Sequence, residues 1–336
     1  MNEELKLQLI KKQFLTARNI QEKRKLTPIL QKIQTYGYNF EITQNSLGED
    51  SAIIPEKRYS TEELQTLHLL TTDALLPSFV RKSPFGAGFS SIYVGIDDII
   101  ACGGTPSACS IIISFPTQEI GEQIIQGIIK GTQVFQIPLI RGHTTTDAND
   151  VFLASTVVGT CPSNGYISSK TAHLGDFIAL VWDKDGKQGK ANHMYWDTIT
   201  NKKGKEFYEK RQFFPRLARK GYIHASKDVS NGGILGTLYQ MMQYSKHKGG
   251  ATIQLDELNQ FLKKISMPYS LEDFLFVFLT SAFLICGDPA DIPHISNEIS
   301  ACNMEFTIVG KVIENPLLQI EFQEESTTLI KLGADN

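Results

Sequence analysis

An α/β (α+β) architecture in two domains is what this chain predicts, and three observations predict it. Apolar runs of strand length alternate with helical patterns in both halves, and no internal repeat or low-complexity segment interrupts them. A length of 336 residues suits about two domains at roughly 150 residues each. A cluster of turn formers, CPSNG at 161–165, supplies a boundary, dividing the chain into residues 1–162 and 163–336.

The first domain begins with a helical extension over residues 1–40. Leu5, Leu9, Ile10 and Phe14 recur at helical spacing among Lys, Glu and Gln over residues 3–22. Thr27 as N-cap, Pro28 at the first helical position and Gly37 as stop predict a second short helix. Strands are expected between 40 and 75, ending in LHLLTTD. Residues 84–104 read as a helix whose glycines permit close packing. A buried strand at 108–115, a helix over 119–134, and a strand, polar loop and strand through IPLIRGHTTTDANDVFLASTVVGT complete the half. The second half opens with the strand DFIALVWD. The segment KKGKEFYEKRQ then reads as the solvated face of a helix. SKDVSNGG precedes a helix, residues 274–286 read as buried strand, and a strand region spans 306–332.

With 41% hydrophobic and 21% charged residues the chain is globular in composition, and a net charge of −3 excludes a generic nucleic-acid binder. Five cysteines without a CxxC pair predict reduced thiols. The charged start lacks the apolar core of a signal peptide, and the 13-residue run from Phe274 to Cys286 is too short to span a bilayer. A cytoplasmic protein without membrane contact is expected.

Chemistry concentrates in short acidic motifs: GEDSA at 48–52, LLTTDAL at 69–75, GIDDIIACGG at 95–104 and KDVSNGG at 227–233. Carboxylates at strand ends and turns suit a hard divalent cation carrying phosphates. Glu49 and Asp50 fit either an exposed turn or such a site. Asp73 fits a metal ligand, an N-cap or an Asx-turn. Asp97 and Asp98 lie among Ile92, Val94, Ile96, Ile99 and Ile100. Adjacent helical residues point about 100° apart, so at most one faces solvent cheaply and the other needs a cation. RGHTTTD at 141–147 reads as a polar phosphate- or metal-facing loop, with His143 a ligand, a base or a hydrogen-bonded loop residue. Asp228 and Ser230 precede a helix start suited to an anion. No Walker P-loop, HExxH, GxSxG or GxGxxG is present.

These motifs, in this order from about residue 45 to 312, resemble those of the AIR-synthetase-related (PurM-like) superfamily. GEDSA resembles GDDAA, LLTTDAL the STD strand end, VGIDDIIACGGTP the VNxSDIAAMGGxP motif, IRGHT the GG(D/H)T loop and KDVSNGG the DxSDGG motif. PSFVRKSPFGAG, MYWDT, ASKDVSNGGILGTL and FLFVFLTSAFLI are most similar to the selenophosphate-synthetase-related, nitrilase-cluster-associated branch. The resemblance implies a two-domain PurM-like fold. Its N-terminal domain, which binds ATP and magnesium, forms an inter-subunit β-barrel in a homodimer, and the C-terminal domain is an α/β sandwich. It implies Asp50, Asp73, Asp98 and Asp228 as metal ligands. Gly48, Gly142, His143, Thr144 and Ser230 become nucleotide contacts, with His143 also the candidate proton-transfer residue because imidazole titrates near neutrality.

The implied activity is phosphoryl transfer from ATP to an oxygen of a small substrate, as in a carbonyl- or amide-activating synthetase. The alternatives are a thiamine-monophosphate kinase-like enzyme and a nucleotide-binding pseudoenzyme or assembly partner. Three departures from the family pattern stand out. Gly95 and Asp97 replace an asparagine and a serine, and Asn231 replaces the last acid of DxSDGG. No cysteine precedes Cys102 and none lies in the final KLGADN, which argues against selenophosphate synthesis and against the carbamoyl-accepting role of HypE.

Overall fold

A computed structural model describes residues 3–25, 48–54, 66–190 and 192–333. The helix expected around Thr27 to Gly37 lies outside the described residues. The chain forms two compact units. One, the five-stranded unit, comprises Asp50–Tyr166 and Thr200–Arg219. The other, the seven-stranded unit, comprises Met1–Glu49, Ile167–Ile199 and Lys220–Asn336. The first helix, α1 (Glu3–Thr16), therefore groups with the second half of the sequence, and residues 200–219 group with the first.

In the five-stranded unit, β1 (Ala52–Ile53), β2 (Thr66–Ala74), β3 (Thr105–Ser114), β4 (Leu139–Thr145) and β5 (Phe152–Pro162) align in the order β1-β2-β5-β3-β4. A short α2 (Pro77–Lys82) leads into α3 (Pro84–Ala101), which starts with proline in its first turn, where no N–H partner is needed. Its apolar residues run almost all round, and it is buried accordingly. Helix α4 (Gln118–Phe135) is capped by the Thr117 side chain and stops at Gln136 in the left-handed conformation. The two helices meet through glycines, since a Cβ on Gly127 would sit 2.1 Å from the Phe85 carbonyl oxygen. The expected close packing is therefore present. Two further short helices, α5 (Gly204–Glu209) and α6 (Phe213–Lys220), follow much later in sequence.

The seven-stranded sheet joins β6 (Phe177–Trp182), β9 (Ala225–Asp228), β10 (Gly250–Gln254), β12 (Ala282–Gly287), β13 (Glu305–Ile313), β14 (Leu317–Phe322) and β15 (Glu325–Lys331), in the order β15-β14-β10-β13-β6-β12-β9. Its interior strand β6, flanked by β13 and β12, is buried at every residue, which explains the unbroken apolar run FIALVW. Helices α7 (Gly233–Gln243), α8 (Leu255–Lys264), α9 (Leu271–Phe274) and α10 (Ile292–Ala301) accompany it. Helix α1 adds Leu7, Ile10 and Phe14 to the same core, with Phe14 edge-on to Tyr239 at 6.1 Å. A small sheet of β7 (Lys187–Gln188), β8 (Tyr195–Asp197) and β11 (Phe278–Leu279) lies beside it.

The apolar run at 274–286 is not one strand. It ends α9, forms β11 and restarts as β12 after Thr280–Ser281, where Ser281 takes φ 54°. Two hydroxyl residues that bond the Thr198 region mark the break: the Thr280 Oγ1 accepts from the Thr198 amide at 2.9 Å. No described helix is long and apolar enough to cross a membrane.

Candidate metal and nucleotide site

Within the five-stranded unit, α3 carries both members of the Asp97–Asp98 pair inward, so neither faces solvent; they are 2% and 9% exposed. Their partners separate their roles. Asp97 accepts two hydrogen bonds from the Arg211 guanidinium, at 2.6 Å from Nε and 2.9 Å from Nη2, and a third at 2.6 Å from the Tyr93 hydroxyl. Arg211 also donates to the Phe207 carbonyl at 2.9 Å and lies 3.5 Å over the Phe207 ring. That bidentate, stacked arrangement is a structural ion pair. The solvated-face reading of KKGKEFYEKRQ therefore holds only in part: Lys203, Lys205, Glu206 and Glu209 are exposed, but Lys202, Lys210 and Arg211 are buried. The cation that Asp97 requires is protein-borne, 114 residues downstream.

Asp98 points elsewhere. Its carboxylate accepts from the Thr71 hydroxyl at 2.6 Å, and one of its oxygens lies within 4.8 Å of an oxygen of Asp50, itself only 8% exposed. Two carboxylates that close in a low-dielectric setting repel each other, and a cation between them removes the penalty. The all-oxygen donor set suits a hard ion such as magnesium. Two hydroxyls neighbour these motifs in sequence or register. Among the described residues the Ser51 and Ser155 hydroxyls are buried without a hydrogen-bond partner. Ser51 follows Asp50 directly, and Ser155 stands opposite Asp73 in the β2–β5 register. Buried hydroxyls in native proteins are rarely left unbonded, so both call for a water or ligand partner.

Asp73 is half-buried and shares a face of β2 with Thr71, two residues earlier. It is outside the tight group that contains Asp50 and Asp98. Gly95, where the family has asparagine, has no room for a side chain, because a Cβ there would meet the Val157 side chain at 2.6 Å. The departure therefore follows from the packing of α3 on β5.

RGHTTT is not a loop. Residues 139–145 form β4, an edge strand pairing in parallel with β3 through Ile111–Gly142, Ile112–His143 and Ile113–Thr144, and exposed along its whole length. The threonines favour extended backbone, and the β3–α4–β4 crossover supplies the parallel partner. Gly142, His143 and Thr144 thus sit at an open sheet edge.

In the seven-stranded unit, Asp228 ends β9 opposite Phe283, and Ser230 follows in the turn to α7. The Ser230 hydroxyl accepts from Lys23 at 3.3 Å. At the α7 start, the Gly233 and Leu235 amides already donate to the carbonyls of Ser230 and Leu275, which removes two donors from the anion-binding reading. Gly48 packs on the Tyr244 ring, where a Cβ would lie 2.6 Å from a ring carbon. Glu49 is no exposed turn residue. Its side chain is 4% exposed, accepts from the Ser168 hydroxyl at 2.5 Å and the Ser169 amide at 2.7 Å, and pairs with Lys170 at 3.4 Å. The sequence marked Glu49 within an acidic motif but not its anchoring partners, and Arg211 gave no signal, lying in a charged segment.

Comparison with known proteins decides the family. Residues 48–161 match the AIR synthase related protein N-terminal domain, and residues 176–323 match the corresponding C-terminal domain. The chain belongs to the AIR synthase-related superfamily. An uncharacterised protein of Synechocystis is 28% identical over 292 residues, covering 86% of this chain and 82% of the other. Selenide, water dikinase of Aeromonas hydrophila is 28% identical over 217 residues, covering 59% and 60%. Among solved structures, T. maritima PurL complexed with ADP superposes with TM-score 0.66 at 15% identity over 83% of this chain, which spans 44% of that PurL chain. AaThiL complexed with AMPPCP and TMP gives TM-score 0.61 at 17% identity over 88% of this chain and 92% of that one. The two-domain PurM-like fold of this AIR synthase-related protein is thereby shown.

Proposed function

We propose that this AIR synthase-related protein uses ATP and magnesium to transfer a phosphoryl group to an oxygen of a small substrate, activating a carbonyl or amide. The observation that carries the reading is the buried Asp50–Asp98 carboxylate pair with the two orphaned serine hydroxyls beside Asp50 and Asp73. The family membership supports it, because relatives include a selenide, water dikinase and a thiamine-monophosphate kinase. Magnesium, when bound, would neutralise phosphate charge and align the transferring group.

The chain's own residues would do the rest. Asp50 and Asp98 hold the ion, with Thr71 fixing the Asp98 carboxylate through its hydroxyl. Asp73 and Asp228 are proposed as further carboxylate ligands, and Gly48 and Ser230 as nucleotide contacts. Gly142, His143 and Thr144 are proposed as phosphate contacts. His143 is the proposed proton-transfer residue, a role that requires the β4 edge to be covered. A homodimer would cover it. Ile112, Leu139, Ile140 and Phe152 on this sheet are 50%, 43%, 68% and 45% exposed, and apolar side chains beside an open edge strand favour pairing with a second copy. A thiamine-monophosphate kinase-like reading is supported by 25% identity to such a kinase over 121 residues.

Turnover separates these readings. The full chain is incubated with ATP, magnesium and a panel of small carbonyl, amide and thiamine monophosphate acceptors, and products are followed by mass spectrometry. ADP with inorganic phosphate and a condensed product supports the synthetase. A stable phosphorylated acceptor supports the kinase. Magnesium-dependent ATP binding with no turnover on any acceptor supports the pseudoenzyme, and no ATP binding at all overturns all three.

A further inference from the structure

We propose that the seven-stranded unit carries a second metal site, in which His173, Asp176 and His224 bind a divalent transition cation of the zinc class. One donor atom from each of the three lies within 4.8 Å of the others. They come from two separate stretches, TAHLGD before β6 and YIH before β9, with no contiguous motif to announce them.

The donors are held on fixed backbone. Asp176, its side chain 4% exposed, accepts from the His173 amide at 2.7 Å, while its own carbonyl accepts from the Val312 amide at 2.9 Å. The His224 amide donates to the Cys286 carbonyl at 2.8 Å, and its carbonyl accepts from the Thr171 hydroxyl at 2.6 Å. His224 Nδ1 lies 2.9 Å from one Asp176 oxygen and 3.0 Å from the other.

A plain His–Asp pair would account for His224 and Asp176 alone. It gives no reason for the exposed His173 ring to lie 4.2 Å from the His224 ring, or for a third imidazole, His247, to stand 5.6 Å from His173. Two imidazoles beside one buried carboxylate, with His247 next to His173, form a donor set of mixed nitrogen and oxygen. That chemistry favours zinc-like cations over magnesium, which prefers oxygen alone. Ligands of tetrahedral zinc stand about 3.3 Å apart at bond lengths near 2.0 Å. Binding would draw the three donors closer than the separation found here, and His173, the exposed member, has the most room to turn. Cys286 is fully buried, and its sulfur is not among the donor atoms that come together here. Three protein ligands leave a position for water or His247, and the bound ion would tie the 171–176 loop to the start of β9.

The site is independent of the nucleotide reading and is tested without nucleotide. Untagged full chain, stripped with chelator, is titrated with zinc against a chromophoric competitor and with cobalt by visible absorption. One equivalent should bind, excess magnesium should not displace it, and His173→Ala or His224→Asn should weaken it at least about tenfold. His173 is exposed, so its variant should keep the wild-type circular dichroism and isolate ligand loss from misfolding. Unchanged affinity in both variants, a thiolate charge-transfer band with cobalt, or no binding below millimolar zinc would each overturn the proposal.

Discussion

Replacing Asp97 by asparagine would leave the Arg211 guanidinium charged and 97% enclosed by protein, since its side chain is only 3% exposed. Removing one partner of a buried ion pair costs about 3–5 kcal/mol, most of it the penalty on the charge left behind. Here the lower end applies. Arg211 keeps the Phe207 carbonyl and the Phe207 ring face, and asparagine still accepts from Tyr93. A loss near 3 kcal/mol corresponds to a fall of roughly 6–12 °C in Tm, at about 2–4 °C per kcal/mol for a domain of this size. Urea and thermal unfolding of Asp97→Asn, Arg211→Met and the double variant measure it. The double variant should recover much of the single-variant loss, because no buried charge remains. A single-variant loss below about 1 kcal/mol, or a double variant as unstable as the two losses added together, would refute the buried-pair reasoning.

Three other outcomes are expected. Glu49→Gln should destabilise the seven-stranded unit by about 3 kcal/mol, because Lys170 is left largely buried; unfolding midpoints unchanged from wild type would show the anchor to be dispensable. Gly48→Val should lower stability by about 1–3 kcal/mol by forcing a side chain into the Tyr244 ring, and Tyr244→Ala in the same chain should relieve part of it. Burial pushes the thiols of Cys109 and Cys161 up from 9.0 to about 11. Folded protein therefore holds those protons more tightly than unfolded chain. Their contribution to stability is intact below pH 9 and is lost as pH rises toward 11. Thiol reagents at pH 8 should accordingly react at the unfolding rate; fast reaction in the native state would contradict the burial.

What could be read from residues alone followed a physical line. Local pattern was enough for α3 and β6, which are apolar almost throughout, for α4, whose apolar residues recur at helical spacing, and for β3, which carries the run ACSIIIS. The acidic motifs were legible as a set, and among them oxygens of Asp50 and Asp98 lie within 4.8 Å of each other. Long-range pairing was not legible. Asp97 and Asp98 are indistinguishable in sequence, and only Arg211, folded back from a distant charged segment, makes one structural and leaves the other with Thr71. For the same reason the buried Lys202, Lys210 and Arg211 of KKGKEFYEKRQ read as solvated along with their exposed neighbours, since composition carries no sign of what a charge meets. RGHTTT read as a loop because polarity usually marks loops, but an open edge strand is equally polar. The His173–Asp176–His224 group had no signal, being assembled from stretches 48 residues apart.

The central claim is that Asp98, held by Thr71 and close to Asp50, grips magnesium beneath a nucleotide. Calorimetric titration of the full chain with ATP, with and without magnesium, tests it in wild type, Asp98→Asn and Asp97→Asn. The account predicts magnesium-dependent ATP binding that weakens about tenfold or more in Asp98→Asn, equivalent to roughly 1.4 kcal/mol, and persists in the folded fraction of Asp97→Asn. Equal, magnesium-dependent affinity in wild type and Asp98→Asn would contradict it.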